Sequence, residues 1–371
     1  MPGTNSEQVP VTVVSGPLGA GKTTLVNRLL NDPGGRRIAV IVNDMGKVNV
    51  DAELVDADED GIVDLSNGCI CCRLQGDLLE QAQLLASERE FGYLVVEASG
   101  ISEPLPIART LTEGADDTDA PAEYTLDTVV SVIDAYGFWK AFDPEESLPE
   151  GAPEPERPLS EVLVDQIEFC NVLLLNKCDM VPDDALAEIE ATIEELQPEA
   201  VRYRTTYSDV DPEAVLRTGL FDLEAATRAP GWKQALAGVD GHGSEGHDHG
   251  GDGHEEPKAA RHGVDSFVYE RADPFDPHVF NDWLDDWDGS IIRAKGFAYV
   301  SSRPEEVLGV NQAGPAIQAG PLGEWGEKEP KTKLVIIGRD LDRENISAAL
   351  DACLADRAAS TAPADDPFPR S

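Results

Sequence analysis

The sequence predicts an α/β protein with a mostly parallel sheet, followed by a small α+β domain. Short apolar runs alternate with amphipathic helical patterns over about the first 225 residues, which is typical of a parallel sheet covered by helices on both faces. A segment at 238–263, rich in Gly, His, Asp and Glu and nearly free of apolar residues, then interrupts the pattern. Strand-like and helical runs resume after this segment, which indicates a second domain.

The first strand and helix of this pattern enclose a glycine-rich loop. An apolar run at 11–14 predicts a buried strand, and residues 24–30 carry apolar side chains at helical spacing. Residues 16–23 between them have the sequence G-P-L-G-A-G-K-T, which matches the G-x-x-x-x-G-K-T pattern. The flanking strand and helix favour a P-loop NTPase fold over the alternative, a chance glycine turn.

The loop has the chemistry of a phosphate site. Its glycines let successive backbone N–H groups face a phosphate, Lys22 adds a positive charge, and the Thr23 hydroxyl suits Mg²⁺. The helix that follows directs the positive end of its dipole at the same anion. The predicted nucleotide-binding residues of this loop are Gly16, Gly19, Ala20, Gly21, Lys22, Thr23 and Thr24.

Further apolar and helical runs complete the two domains. In the first domain we predict strands at 37–42, 61–65, 93–96, 127–133 and 172–175, helices at 76–90, 160–168 and 183–196, and surface insertions at 114–123 and 143–158. In the second we predict strands at 266–269, 290–292, 296–300 and 333–337, and helices at 277–287 and 343–354. The predicted boundaries are a nucleotide-binding domain at 1–237, a flexible linker at 238–263, a C-terminal domain at 264–356 and a disordered tail at 357–371.

The charge balance limits the partners. The 371 residues include 29 Lys and Arg against 71 Asp and Glu, a net charge of −42. Such a surface repels nucleic acid and anionic membranes, so we expect neither as a partner. Because the acidic excess is spread along the whole chain, it indicates a halophilic protein that requires salt to screen its own charge.

The compartment is predicted from what the sequence lacks. Residues 1–8 contain neither a basic segment nor an apolar targeting segment, and no run reaches about 18 apolar residues. We therefore expect a cytoplasmic protein, in which the six cysteines are metal ligands or core residues rather than disulfides.

A guanine-binding motif is predicted at 176–179, where N-K-C-D follows a strand. Guanine presents two adjacent donors, N1–H and the N2 amino group, and the Asp179 carboxylate can accept both, whereas adenine presents an acceptor at N1. Asn176 can bond the base or tie loops together, and the stem of Lys177 can cover the purine face. Alone these four residues would fit a plain strand-end turn; after a P-loop they predict GTP.

The predicted catalytic residues are Lys22, Thr23, Glu97 and Gly100. Glu97 follows a strand, where P-loop proteins keep an acid near Mg²⁺, and it can bind the metal through water or position the attacking water. The N–H of Gly100 can reach the γ-phosphate. The alternative for Glu97 is a solvated strand-end carboxylate. Because no glutamine follows Gly100 and no arginine finger is evident, we expect slow intrinsic turnover that a partner or metal raises.

Two segments are rich in possible transition-metal ligands. Cys69, Cys71 and Cys72 place three thiols within four residues, and thiolates suit Zn²⁺, Co²⁺ or Cu⁺. The alternative is a redox or core role. In the linker, His242, His247, His249 and His254 alternate with acidic residues, which predicts a divalent-metal collector or a solvated linker that contains histidine. For Cys170, Cys178 and Cys353, which lie on apolar faces, we expect core positions.

The order of these motifs resembles the CobW family of metal-handling GTPases. The motifs are the P-loop, G-C-I-C-C, E-x-x-G, N-K-C-D and the His-rich linker, and residues 291–297, Trp325, 333–340 and 350–354 are similar to that family's C-terminal domain. The resemblance covers about residues 9–355. It implies that Cys69, Cys71 and Cys72 form a C-x-C-C metal motif coupled to the nucleotide through neighbouring switch loops.

Two positions depart from the family pattern. The resemblance implies a switch segment at 43–46, usually N-E-F-G and here N-D-M-G, so the candidate metal ligand is Asp44, one methylene shorter than Glu. Arg73 stands where the family often has Thr. Neither departure removes a thiolate.

The sequence is therefore interpreted as a GTP-hydrolysing metallochaperone that uses GTP and Mg²⁺ and passes Zn²⁺ or Co²⁺ to a client metalloprotein. A homo-oligomer is compatible with this interpretation. Two alternatives remain: a metal buffer in which the linker stores ions, and an accessory protein for cobalt insertion in cobalamin synthesis.

Overall fold

The structure is a computed structural model. It describes residues 8–42, 62–64, 78–79, 81–85, 91–114, 123–142, 157–228, 230, 233, 263–286, 289–355 and 366–369, with the backbone alone for 62–64 and 227. The chain divides into two compact units. Unit 1 comprises Met1–Ala141, Glu145–Leu186 and Glu199–Ala229; unit 2 comprises Phe142–Pro144, Ala187–Pro198 and Pro230–Ser371.

Unit 1 is built on a sheet of seven parallel strands in the order β3-β2-β4-β1-β5-β6-β7. The strands are β1 (Val9–Ser15), β2 (Ile38–Val42), β3 (Ile62–Asp64), β4 (Tyr93–Glu97), β5 (Tyr124–Asp134), β6 (Val172–Asn176) and β7 (Val201–Arg204). The helices described up to residue 230 are α1 (Lys22–Asn31), α2 (Pro104–Glu113), α3 (Leu159–Glu168), α4 (Asp183–Leu196) and α5 (Leu223–Arg228). Residues 78–79 and 81–85, within the helix predicted at 76–90, are also helical. The predicted parallel α/β fold is confirmed.

The central strands are buried on both faces because helices cover the sheet. All five residues of β4 and all five of β6 are buried. Val14, Val95, Val132 and Leu174 from four neighbouring strands join Leu25 of α1 in one hydrophobic cluster. This packing fixes the carboxyl ends of the strands, where open α/β sheets bind their ligands.

Unit 2 contains an antiparallel sheet of five strands in the order β11-β10-β9-β12-β8. The strands are β8 (Val264–Arg271), β9 (Ile291–Ala298), β10 (Glu306–Ala313), β11 (Ala316–Glu324) and β12 (Thr332–Arg339), and the helices are α6 (Pro277–Asp285) and α7 (Arg343–Ala352). Phe280 and Leu350 from the two helices pack with Leu334 and Ile336 of β12 in a second cluster. The predicted α+β domain is confirmed as a fold class.

The structure corrects the predicted strands of this domain. Residues 291–292 and 296–298 of the two predicted strands belong to one strand, β9, although Gly296 adopts φ 154° within it. The hairpin β10–β11 is absent from the sequence prediction because its glycines and proline resemble a loop. In the sheet these residues are useful: a Cβ on Gly309 would lie 2.6 Å from Leu322 Cγ, so glycine makes room for that side chain.

The predicted disorder of the tail at 357–371 does not hold for residues 366–369. Phe368 is buried in the second hydrophobic cluster, with its ring 6.1 Å from that of Phe280. Arg303 donates to Asp366 Oδ2 at 2.7 Å, to the Phe368 carbonyl at 2.9 Å and to the Pro369 carbonyl at 2.9 Å. A buried guanidinium therefore anchors the segment. In the described ranges, no helix combines the length and apolar character that crossing a bilayer requires.

Candidate nucleotide and metal site

The P-loop connects β1 to α1 and requires glycine at two close approaches. Gly16 adopts φ 139°, and a Cβ there would lie 2.1 Å from the Val132 carbonyl oxygen. Gly21 adopts φ 112°, and a Cβ there would lie 2.4 Å from Asn176 Nδ2. Any larger residue would therefore displace the loop from β5 or β6. These neighbours, which are distant in sequence, therefore fix the path of the loop.

The charged and hydroxyl groups of the loop are gathered at the start of α1. Lys22 is buried, and its Nζ donates to the Pro17 carbonyl at 3.2 Å, so the ammonium group is folded over the loop. Ala20 is buried and Thr24 is exposed on the first turn of the helix. A buried cation beside several backbone N–H groups is an electropositive cradle suited to phosphates.

Glu97 and Gly100 lie next to this loop, as the sequence predicts. Glu97 ends β4, where it pairs with Val14 of β1, and it is only 1% exposed. Thr23 Oγ1 donates to Glu97 Oε1 at 2.9 Å. Gly100 packs so closely on the loop that a Cβ there would lie 2.7 Å from Leu18 N. The alternative of a solvated carboxylate is therefore wrong for Glu97.

Asn176 ties the P-loop to the segment after β7. Its Nδ2 donates to the Ala20 carbonyl at 2.8 Å, and its Oδ1 accepts from Ser208 N at 2.8 Å and Thr205 Oγ1 at 3.1 Å. Both ends of the buried amide are thus used inside the protein. Of the two roles open from the sequence, these contacts favour the tying of loops.

Lys177 and Asp179 face the solvent side of the same loop. Lys177 adopts φ 60°, and its Nζ donates to Asp134 Oδ2 at 2.7 Å, which aligns the aliphatic stem beside the carboxyl end of β5. Asp179 is exposed in the short 3-10 turn Cys178–Met180 and makes no hydrogen bond or ion pair with the described residues. Its carboxylate is available to accept from a ligand.

Ser208 and Arg28 also shape this region, and the sequence alone did not indicate them. Ser208 donates from Oγ to the Gly21 carbonyl at 2.9 Å, in a segment where Tyr207 and Ser208 both adopt φ 53°. Arg28 of α1 holds that segment through the Tyr207 carbonyl at 2.7 Å and Asp209 Oδ1 at 2.7 Å. Residues 205–209 follow a short, exposed edge strand with little hydrophobic signal, so only their position after β7 could have indicated them.

The predicted transition-metal ligands lie outside the described residues. They are Asp44, Cys69, Cys71, Cys72, His242, His247, His249 and His254. Within the described part of the chain, no group of three or more His, Cys, Asp or Glu side chains is arranged to hold a metal ion.

The cysteines of the described ranges behave as core residues. Burial raises the pKa of the Cys170 thiol to about 12 and that of the Cys353 thiol to about 11. Both thiols stay protonated at neutral pH, and a protonated thiol is a poor metal ligand. The core interpretation is confirmed for these two, and Cys178 is half-buried.

The backbone register shows where the two segments that carry predicted metal ligands begin. Val42, the last residue of β2, pairs with Glu97 on one side and with Asp64, the last residue of β3, on the other. Neighbouring strands are about 4.8 Å apart. Residues 43–51 and 65–72 therefore follow strands that end beside Glu97, at the carboxyl end of the sheet.

Comparison with known proteins gives matches over both units. The family model "CobW/HypB/UreG, nucleotide-binding domain" matches residues 10–203, and the model "Cobalamin synthesis protein cobW C-terminal domain" matches residues 264–354. "Zinc-regulated GTPase metalloprotein activator 1" of Dictyostelium discoideum is 38% identical over 341 residues, 86% of this chain and 69% of that protein. "Zinc chaperone CobW" of Sinorhizobium sp is 30% identical over 366 residues, 94% of this chain and 98% of that protein. "Zinc chaperone YjiA" of Escherichia coli is 27% identical over 354 residues, 92% of this chain and 97% of that protein.

Proposed function

The chain belongs to the CobW family of nucleotide-binding proteins, and from this premise we propose that it is a GTP-hydrolysing metallochaperone that carries zinc to a client metalloprotein. The observation that carries the proposal is the register of Val42 between Glu97 and Asp64. Because of this register, both proposed metal-ligand segments start at the carboxyl end of the sheet, beside Glu97. One ligand can then bias the binding of the other.

The nucleotide is GTP. The exposed carboxylate of Asp179 can accept from N1–H and the N2 amino group of guanine, and adenine would oppose it with an acceptor. Asn176 supports the pocket by joining the P-loop to residues 205–208. The Lys177 stem covers the purine face while its ammonium group bonds Asp134.

The residues present fit a magnesium ion. Mg²⁺ prefers oxygen ligands, and the Thr23 hydroxyl and the buried Glu97 carboxylate are hydrogen-bonded to each other at 2.9 Å. Thr23 would hold the ion directly and Glu97 directly or through water. When bound, Mg²⁺ supplies charge neutralisation on the β- and γ-phosphates.

Two groups of this chain would stabilise the terminal phosphate during hydrolysis. Lys22 places its charge by the terminal phosphate, and the Gly100 N–H donates to it. Ile101 follows Gly100, where no side-chain amide is available to orient the attacking water. Turnover is therefore slow without a partner or a loaded metal.

The metal is the cargo, and its proposed ligands are Cys69, Cys71, Cys72 and Asp44, with the linker histidines His242, His247, His249 and His254 as collectors. Thiolate and carboxylate ligands accept both Zn²⁺ and Co²⁺. The names of the three relatives above support zinc. GTP hydrolysis would weaken the hold of these ligands on the ion, so that the client takes it. We place this activity in the cytoplasm and expect no nucleic-acid or membrane partner.

The test is metal analysis of untagged protein with and without GTP. We expect one tightly bound Zn²⁺ whose affinity depends on the nucleotide, and the Cys71→Ser variant should bind zinc more weakly and without that dependence. Unchanged affinity in Cys71→Ser would contradict the assignment of the cargo site. Cys170→Ser, which changes a buried thiol that is not one of the proposed ligands, is the control.

The two alternatives separate in the same assay. Deleting residues 242–254 would remove most of the metal capacity of a buffer, whereas a chaperone keeps the equivalent bound by cysteine. A cobalt-insertion role predicts that the untagged protein is isolated with Co²⁺ rather than Zn²⁺ and that GTP changes the binding of Co²⁺. Neither alternative is favoured by the zinc names of the relatives.

A further inference from the structure

The loop between β4 and α2 is held by one side chain from the last turn of α3. Gln166 is fully buried, and its Nε2 donates to the Gly100 carbonyl at 3.4 Å and to the Ser102 carbonyl at 3.2 Å. Gln166 Oε1 is also buried and accepts no hydrogen bond from the described residues. Burying an amide with one end unsatisfied costs stability. The side chain is thus poorly explained as a stabiliser of the core.

A second side chain, just before α3, holds the far end of the same loop. Arg157 donates to Glu103, the residue before α2, and pairs with Glu161 and Asp165 of α3 at 2.6 Å each. Burial would by itself lower the pKa of Arg157, but the bonds and charges of the three carboxylates outweigh it and raise that pKa. The guanidinium therefore stays charged and links the loop to one face of α3.

Gly100 packs closely on Leu18 of the P-loop, but a cavity lies on another side of the loop. The cavity has a volume of about 170 Å³ and is lined by Pro17 and Leu18 of the P-loop, Gly100 and Ile101, and Val162 and Leu163 of α3, among others. Side chains next to a void lose the contacts that would restrain them. The bonds from Gln166 and Arg157 therefore restrain the loop on the side that faces α3.

We propose that Gln166 and Arg157 are positioning residues that hold Gly100–Glu103 where the Gly100 amide meets the terminal phosphate of GTP. This inference rests on the proposed GTPase function. Neither side chain touches the nucleotide; each acts through the loop. Gln166 fixes the peptide that follows the Gly100 amide, and Arg157 fixes the point where the loop enters α2. Transition-state contacts depend on such placement, since a shift of about 1 Å can cost roughly 100-fold in rate.

The test compares Gln166→Met with the wild-type protein in GTP hydrolysis and in binding of GDP and a non-hydrolysable GTP analogue. Methionine has a similar length and no donor, so the loop loses the hydrogen bonds to the Gly100 and Ser102 carbonyls. We expect kcat to fall roughly 10- to 100-fold and the preference for the GTP analogue over GDP to shrink, with GDP affinity unchanged. GDP lacks the terminal phosphate and is the internal control. Ser160→Ala, a buried position on the same helix whose hydroxyl makes no hydrogen bond with the described residues, should match wild type.

Arg157 gives a second, graded variant. Arg157→Met should reproduce the loss of kcat, and Arg157→Lys, which keeps the charge but not the fork of donors, should recover part of it. Equal losses of GDP and GTP-analogue affinity in Gln166→Met would mean a merely structural role and overturn the proposal, as would wild-type kcat in both methionine variants. If the wild-type protein itself fails to hydrolyse GTP, the proposed function fails instead.

Discussion

Thr23 and Glu97 are joined by a hydrogen bond of 2.9 Å between Oγ1 and Oε1, although 74 residues separate them in the chain. The bond links the first turn of α1 to the end of β4. It brings a hydroxyl and a buried carboxylate together beside the phosphate loop. The first prediction concerns this pair.

Glu97→Gln should lower kcat for GTP hydrolysis by roughly 100-fold, because the amide keeps the shape but removes the negative charge that supports the magnesium site. Phosphate release at saturating GTP and Mg²⁺ measures the effect. Glu113→Gln, an exposed carboxylate at the end of α2, is the matched control. A Glu97→Gln protein as active as the control would remove Glu97 from the catalytic site.

Asn176→Ala should lower the free energy of unfolding by about 3 kcal/mol, because it leaves the buried Ala20 carbonyl and Ser208 N–H without their partner. Differential scanning calorimetry without nucleotide should show the transition of unit 1 at a lower temperature. Asn345→Ala changes an exposed amide of α7 and should have no such effect. Equal melting of the two variants would mean that the Asn176 bonds contribute little.

Asp179→Asn should change the base preference of the nucleotide site from guanine to xanthine. An asparagine amide presents one donor and one acceptor, which suit the C2 carbonyl and N1–H of xanthine but not the two donors of guanine. GTP affinity should fall roughly 100-fold or more while binding of xanthosine triphosphate appears. Nucleotide competition measures both, with Asp184→Asn, an exposed site on α4, as control. Retention of GTP preference would show that Asp179 does not read the base.

Asp366→Asn should destabilise unit 2 at neutral pH but not in acid. Burial would raise the pKa of Asp366, but the bonds from Arg303, Ser302 and the Phe368 N–H, with the Arg303 charge, outweigh it and lower that pKa. Because the pKa of Asp366 is lower in the folded state than in the unfolded state, the carboxylate stabilises the fold fully above the unfolded-state pKa of about 3.9. This stabilisation is lost as the pH falls through the folded-state pKa.

The measurement for Asp366 is the melting temperature as a function of pH. The gap between wild type and Asp366→Asn should be constant from pH 7 to about pH 5 and close below about pH 4. Glu329→Gln, an exposed carboxylate of the same unit, should show no gap at pH 7. A gap that persists unchanged to pH 2.5 would contradict the role of the ionised carboxylate.

Added salt should stabilise the protein because it screens a net charge of −42. The Debye length falls from about 10 Å at 0.1 M to about 3 Å at 1 M salt. The melting temperature should therefore rise across an NaCl series, and sucrose of equal osmolality should have a smaller effect. A flat or falling melting temperature would refute adaptation to high salt.

Most of the fold could be predicted because apolar runs identify buried parallel strands directly. The runs at 11–14, 37–42, 61–65, 93–96, 127–133 and 172–175 each overlap a strand of one sheet. β7 was missed because it is an edge strand with mostly exposed side chains, so it has no apolar run. The hairpin β10–β11 was missed because glycines in a sequence resemble a loop. The space that Gly309 leaves for Leu322 is recognisable only when the facing strand is known.

The sequence by itself determined the chemistry of the nucleotide site. G-x-x-x-x-G-K-T, Glu97 and N-K-C-D each specify a local backbone and a type of contact, and each lies at the end of a strand. Such motifs are encoded within a few residues, and their order along the chain already indicated the CobW family.

The tertiary structure alone decided which of these groups meet. It assigned the Asn176 amide to the P-loop and Ser208, brought α3 to the Gly100–Glu103 loop, and buried Phe368 of a tail that composition suggested was disordered. The physical reason is that strand order and helix crossovers set distances between residues far apart in sequence. No local pattern carries that information.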